Sequence, residues 1–538
     1  MKALLKKPPH QASLPWLWLW GMVLYVPLTA WCIQPVLLNI RSLIIPAIWT
    51  FLLTLPAAIF RKNYLYRSAA VLLFIDGLLN LVHWLVLRCP LSATSLFVML
   101  NTNGQEATEF IALKHSFRWL LLLPYIALFV ICLIRCPRFP APNRTFGITA
   151  GILTLACTIY IAEAAVHHRF LRHAATPTVN ALCSFAKETK SYQALQKRGL
   201  RKVPATTTPS RQVCVLIIGE SCNRNHLSLY GYNRNTNPKL SKRNDILVFD
   251  DVIAPYSYTM ASLLHLMSES HIEKEQDISS CTLLHDVFSS AGYKTFWLSN
   301  QSPIGVWDNA VFSIAQLSDA CQFVNLSGNS SFESTQIASY DEQLLPLLLH
   351  SLNDDPVSRK WIVLHLMGSH SQYDKRYPPS FEQFAGGSGK RQRTIDAYDN
   401  SVLYNDYVVN SAFDIIAQYA EQHPEERVTA LYFSDHGENV YDDGDNAGHD
   451  YSDTIPRSIA EIPFIVWTNR FNTSDLRRAQ EWRQAQHQPF MIDDLYHALI
   501  DINEIATPSF DRKRSIFSPS YNAQRERRLS DGRIYRRR

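Results

Sequence analysis

Residues 428–442 read VTALYFSDHGENVYD. Val428 to Phe433 are apolar and β-branched or aromatic, the composition of a parallel strand buried on both faces. The run stops at Asp435, His436, Gly437 and Glu438, just past the carboxyl end of that strand, where open α/β sheets bind their ligands. An adjacent carboxylate and imidazole, followed by a glycine that lets the backbone turn, suit a hard-to-borderline divalent cation. A polar turn that merely closes the strand is the alternative these four residues leave open.

Working outward, strand-like and helix-like stretches alternate from Gln212 onward. VCVLIIG, ILVFDDVI, KTFWLSN, WIVLHLMG, VTALYFS and IPFIVWT read as strands; TMASLLHLMSE, TLLHDVFSSAG, YDEQLLPLLLHSLN, VLYNDYVVNSAFDIIAQYAEQ and IDDLYHALIDI read as helices. The alternation predicts a mostly parallel sheet covered by helices on both faces. Such a sheet gathers polar residues from distant parts of the chain at one edge. Glu220 ends the first strand, His370 follows WIVLHLMG, and Asp435 and His436 follow VTALYFS. Thr259 stands where an apolar helical pattern begins, at an expected N-cap and at the positive end of the helix dipole. Alone, each has an ordinary reading as a cap, a strand-end carboxylate or a surface histidine. Together, Glu220, Thr259, Asp435 and His436 make a four-coordinate donor set that zinc accepts, and the metal charge would favour the Thr259 alkoxide as a nucleophile.

Before His167 the chain has another character. Five apolar segments reach the roughly 18 residues that cross a bilayer: 15–33, 36–60, 68–87, 117–134 and 146–166. The first is too long and Trp-rich for a cleaved signal peptide. Lys2, Lys6 and Lys7, then Arg61, Lys62 and Arg67, then Arg135, Arg138 and Arg144 mark the cytoplasmic ends. An odd number of spans places everything after His167 on the far side, the periplasm for a bacterial inner membrane. The expected organisation is a five-span membrane domain (1–167), a membrane-hugging connector (168–211), an α/β domain (212–515) and a basic tail (516–538), read as a solvated end. A net charge of +5 is modest and gives no case for nucleic acid. Five of the ten cysteines, Cys183, Cys214, Cys222, Cys281 and Cys321, fall in the outer half, so at most two disulfides can form there.

The series IIGES, LYGYNRNTNPKL, PYSYT, HLMGSH and FSDHGE resembles the membrane-bound phosphoethanolamine transferases of Gram-negative bacteria, in the alkaline phosphatase and sulfatase superfamily. The resemblance implies an alkaline phosphatase-like catalytic domain and zinc on Glu220, Thr259, Asp435 and His436, with Thr259 as nucleophile. It implies that His370 and His449 hold the phosphate or a second zinc ion, and that Asn103 and Glu106, in an outer membrane loop, help position the lipid donor. The implied activity moves phosphoethanolamine from phosphatidylethanolamine, through a phosphothreonine-type intermediate, to lipopolysaccharide or another envelope glycan. The lipid A-modifying branch carries cysteine pairs and a lysine that PYSYTMASLLHLM and NQSPIGVWDN lack, which directs the resemblance toward the core-heptose or glucan branch. The alternatives are a membrane-tethered, metal-dependent phosphodiesterase or sulfatase-like hydrolase, and a glycerophosphate transferase.

Overall fold

The computed structural model describes residues 14–537 apart from 34–40, 88–90, 92–95, 97–116, 140–143, 167–173, 209, 275, 302–309, 325–339, 354–357, 387, 450–453 and 473–475. The chain divides into two compact units, residues 1–188 with 451–453, and residues 189–450 with 454–538. The division falls within one helix, Pro177–Arg198.

In the first unit the helices are α1 (Leu14–Ile33), α2 (Arg41–Phe60), α3 (Asn63–Leu87), α4 (Leu122–Ile134, preceded by a 3-10 turn from Phe117) and α5 (Arg144–Val166). Among the described residues, five helical stretches are long and apolar enough to cross a membrane. The 20 residues of α1 span about 30 Å at a rise of about 1.5 Å each, the thickness of a hydrocarbon core. Leu19, Met22, Tyr66, Ala70 and Tyr125 pack between helices, while Leu72, Ile152 and Leu155 remain exposed on them. A bilayer covers such apolar surface without cost; water does not. Asp76, which interrupts the apolar pattern of α3, accepts a hydrogen bond from the Thr176 hydroxyl at 2.7 Å. A polar group at membrane depth is tolerated when it is satisfied in this way.

The second unit is built on seven strands: β1 (Gln212–Gly219), β2 (Ile246–Phe249), β3 (Lys294–Ser299), β4 (Ala320–Phe323), β5 (Arg359–His365), β6 (Arg427–Ser434) and β7 (Phe464–Thr468). Their order is β2-β7-β6-β1-β5-β3-β4. The pairs β6-β1, β1-β5, β5-β3 and β3-β4 are parallel, and β7 runs antiparallel to β6 and β2. Alternation explains why β1 is apolar throughout. Cys214, Leu216 and Ile218 enter one core and Val213, Val215 and Ile217 the other. The first core is closed by helices Thr259–Leu266 (α7, with Pro177–Arg198 as α6) and Leu284–Ser290 (α8), and the second by Leu344–Asn353 (α9) and Lys390–Gln422 (α10). Full burial of one such aliphatic side chain contributes about 1.5–3 kcal/mol, so both layers are needed to hold the central strands.

Three readings change. ILVFDDVI divides, because Asp250 and Asp251 break it: Ile246–Phe249 joins the main sheet, and Val252–Ile253 pairs with Phe490–Met491 outside it. Edge strand β4 carries too short an apolar run to be read as a strand. The described cysteines are all free thiols, within the limit of two disulfides, and Cys214, Cys222 and Cys281 are buried. Finally, residues 516–537 are not a solvated tail. Ile516, Phe517, Leu529 and Tyr535 are buried, and Arg525 pairs with Glu273, Asp493 and Asp494. An apolar residue every few positions between the arginines was enough to dock the segment.

Candidate metal and nucleophile site

The register of the sheet creates the site. Gly219 of β1 lies opposite Ser434 of β6, so Glu220 and Asp435 leave the sheet side by side. Ser221, next in the chain, adopts a left-handed φ of 55°, a conformation that costs energy and turns the backbone sharply after Glu220. On the other side of β1, Gly368 has φ +56°, and a Cβ there would lie 2.6 Å from the Glu220 carbonyl oxygen. Only glycine allows the loop after β5 to pass this close to the Glu220 backbone.

Glu220, Asp435 and His436 offer ligand atoms within 4.8 Å of one another, and all three are buried. His436 Nε2 lies 3.1 Å from Glu220 Oε1 and 3.6 Å from Asp435 Oδ2. The other ring nitrogen, Nδ1, is 2.8 Å from the Gly437 carbonyl. A proton on Nδ1 is donated to that carbonyl, so Nε2 is the ring nitrogen that faces the carboxylates, as a proton donor to Glu220 or, once that proton is lost, as a metal ligand. Thr259 joins them. Its hydroxyl donates to Glu220 Oε2 at 2.8 Å and lies 3.5 Å from His436 Nε2. One detail of the expectation is corrected: Tyr258 is the N-cap, and Thr259 is the first residue inside α7. The hydroxyl is therefore directed to the carboxylate cluster rather than to a cap.

Electrostatics argue that the cluster is built for a cation. Burial would raise Glu220, but the charge on His436 and the hydrogen bond from it hold the carboxyl well below its ordinary range. Burial and then the Glu220 charge push Asp435 up to about 8. Burial opposes a charge on His436, yet Asp435 and Glu220 raise it to about 10. Two buried carboxylates thus compete for one imidazolium. Asp435 Oδ2 is buried with no hydrogen-bond partner, an expensive arrangement unless a metal takes that lone pair. Carboxylate, carboxylate, imidazole and hydroxyl is a donor set that fits zinc.

His449 Nδ1 lies 2.8 Å from Glu438 Oε2, and its ring centroid is 4.7 Å from that of His436 and 5.9 Å from that of His370. The structure therefore brings His370 and His449 to the rim of the same cluster. Asn103 and Glu106 lie outside the described residues. Sequence reading missed two supports. Fully buried Glu438 accepts from the Tyr373 hydroxyl at 2.5 Å and orients His449; its signal was its place in SDHGE. Buried Asp341 accepts from the backbone amides of Met367 and Gly368 and from Asn300, fixing the loop that carries His370. It stands at the start of the helical pattern YDEQLLPLLLHSLN, with nothing local to reveal that loop.

The turn after Glu220 rests on His226, whose Nδ1 is 2.6 Å from Asp399 and Nε2 3.1 Å from Asp442. Burial disfavours its charge, but the two carboxylates win and raise it to about 9. Because the folded value exceeds the unfolded value of about 6.5, the stabilisation is complete below pH 6.5 and is lost as pH rises toward 9. It amounts to about 3 kcal/mol for a buried, hydrogen-bonded group. The melting temperature of the detergent-solubilised chain is expected to fall over that window, and a His226→Gln chain to lose that part of the slope. Equal slopes for the two chains would show that His226 titrates as it does unfolded.

Comparison with known proteins agrees with the fold. The sulfatase family profile matches residues 212–504, more than half of the chain. Phosphoethanolamine transferase EptC of Escherichia coli K12 is 27% identical over 521 residues, covering 89% of this chain and 86% of that protein. The zinc complex of the C-terminal periplasmic domain of EptC from Escherichia coli superposes with a TM-score of 0.54 at 27% identity, over 60% of this chain and 92% of that one. The integral membrane lipooligosaccharide phosphoethanolamine transferase A of Neisseria meningitidis shares the fold with a TM-score of 0.64 at 18% identity, over 93% of this chain and 98% of that one. With five apolar helices before an α/β unit, this is a membrane protein. The chain belongs to the sulfatase family, and it resembles the membrane-bound phosphoethanolamine transferases within it along both its apolar helices and its α/β unit.

Proposed function

We propose that the protein is a zinc-dependent phosphoethanolamine transferase of the bacterial inner membrane, with its α/β domain in the periplasm, acting on lipopolysaccharide core heptose or a related envelope glycan. The observation that carries the reading is the meeting of the Thr259 hydroxyl with Glu220 Oε2 at 2.8 Å beside Asp435 and His436. Zinc bound by Glu220, Asp435 and His436 would supply the positive charge that favours the Thr259 alkoxide and offsets charge on the phosphoryl oxygens. Thr259 Oγ attacks the phosphorus of phosphatidylethanolamine; the bond from phosphorus to the diacylglycerol oxygen breaks, and that oxygen leaves with a proton. A hydroxyl or phosphate oxygen of the glycan then attacks the same phosphorus, and the bond to Thr259 breaks. His370 and His449, at the rim, hold the phosphoryl group through both steps, and Glu438 keeps His449 in one tautomer. Asn103 and Glu106, outside the described residues, are the positions that the family resemblance assigns to placing the lipid donor.

The test is product analysis. Given phosphatidylethanolamine labelled in its headgroup, cells carrying the protein are expected to show one added phosphoethanolamine on lipopolysaccharide by mass spectrometry. Release of free phosphoethanolamine with no labelled glycan would mean a hydrolase and would refute transfer.

A further inference from the structure

The arginine-rich segment RERRLSDGRIYRRR has no part in the chemistry above, yet the fold does not leave it loose. Residues 527–535 form a small hairpin: Leu529 N donates to the Arg533 carbonyl, Tyr535 N donates to the Arg527 carbonyl, and Gly532 turns the chain with φ +87°. Its two inward side chains, Leu529 and Tyr535, are buried in a satellite core that also holds Tyr256 and Ala261, with Tyr258 packed against it. These three residues flank Thr259. The backbone is tied as well, since Ser530 N donates to the Pro255 carbonyl at 2.9 Å.

The hairpin also grips the segment behind the metal ligands. Asp531 accepts from Ile455 N at 2.8 Å, and the Tyr535 hydroxyl donates to Glu461 at 2.5 Å. Between those anchors, the Ile459 carbonyl accepts from Gly437 N at 2.7 Å and the Ala460 carbonyl from Ala254 N at 2.8 Å. One layer of backbone thus joins the loop before Thr259, the turn after His436 and the C-terminal hairpin. Gly437 shows how tight it is, because a Cβ there would lie 2.2 Å from the Ser458 carbonyl oxygen.

We infer that the hairpin of residues 527–535 is a positioning strap, which holds the loop 254–258 so that the Thr259 hydroxyl stays in register with Glu220, Asp435 and His436. The inference rests on the transferase reading for its effect on turnover and on the geometry alone for its effect on the loop. Within α7, which is 8 residues long, the Ser262 hydroxyl donates to the Asp435 carbonyl at 2.8 Å; the loop that leads into the helix is held instead by the contacts of the hairpin. A helix this short takes its placement from what packs on it.

Two variants test this in the full-length, detergent-solubilised protein: a chain ending at Gln524, and the milder pair Leu529→Ala with Tyr535→Phe. Zinc content, melting temperature, hydrogen exchange of residues 253–262, and the rate and donor KM of phosphoethanolamine adduct formation on Thr259 are measured at a temperature where every chain is folded. Faster exchange confined to 253–262 and to the other anchored segment, 455–461, is expected, with a rate constant lower by about 10- to 100-fold, since a displacement near 1 Å at a reacting group costs up to about 100-fold. KM for phosphatidylethanolamine and zinc content should stay unchanged, and a synthetic peptide of residues 525–538 should restore the rate of the shortened chain. Unchanged exchange in 253–262, or a rise spread evenly through the domain, would overturn the strap. If the unaltered protein forms no adduct on Thr259, the transferase reading fails, and the exchange measurement still decides the strap.

Discussion

Thr259→Ala is expected to give a folded, membrane-inserted protein that transfers nothing. Tyr258, not Thr259, is the N-cap of α7, so alanine costs the helix little. The loss to stability is the one hydrogen bond to Glu220, about 1–3 kcal/mol for a buried acceptor left without its donor. The loss to turnover is of another order: with the attacking oxygen gone there is no covalent step, and transfer falls by about 10⁴-fold or more. Thr259→Ser keeps an oxygen and is expected to retain measurable transfer. The check is incubation with phosphatidylethanolamine and no acceptor, followed by peptide mass spectrometry. An adduct on the Thr259 peptide of the unaltered chain, absent from the alanine chain, is the expected result; an adduct elsewhere, or an alanine chain that still turns over, would remove Thr259 from the mechanism.

Asp435→Ala has the second large effect, and it acts on the metal rather than on the nucleophile. Asp435 contributes a buried oxygen that no donor satisfies, 3.6 Å from His436 Nε2. Losing a partner outside the coordination sphere typically costs about 10–100-fold in metal affinity, and losing a ligand costs more. Metal analysis after dialysis against a weak chelator should therefore find zinc in the unaltered chain and almost none in the variant, with transfer lost in parallel. Asp435 is itself pushed up to about 8 by burial and by the Glu220 charge, so at neutral pH without metal it weakens the fold, and its removal relieves that cost. The metal-free variant is thus expected to melt no lower than the metal-free parent. A variant that keeps its zinc would show that the ligands lie elsewhere.

Much of this protein was readable in one dimension because its signals are local. Five apolar runs sufficient for a bilayer need no partner to be recognised, and α1 to α5 lie on them, though α2 is described from Arg41 and α3 begins at Asn63. The parallel strands declared themselves through continuous apolar runs ending in Glu220 and in Asp435 with His436, and the β1-β6 register then set those ends side by side. What the tertiary structure alone decided depends on contacts between distant positions. Asp341 looks like a helix-start carboxylate until the amides of Met367 and Gly368 are seen to converge on it. Glu438 looks like a turn residue until Tyr373 and His449 are found on its two oxygens. The basic end looks like a solvated tail because charge dominates its composition. Its docking depends on Leu529 and Tyr535 finding a core assembled from residues 253–272, 455–460 and 491, and on acidic partners such as Asp251, Glu461 and Asp493 that other elements deliver. Composition records how much charge a segment carries; only the folded chain brings the opposite charges and the apolar surface that decide whether the segment stays in water.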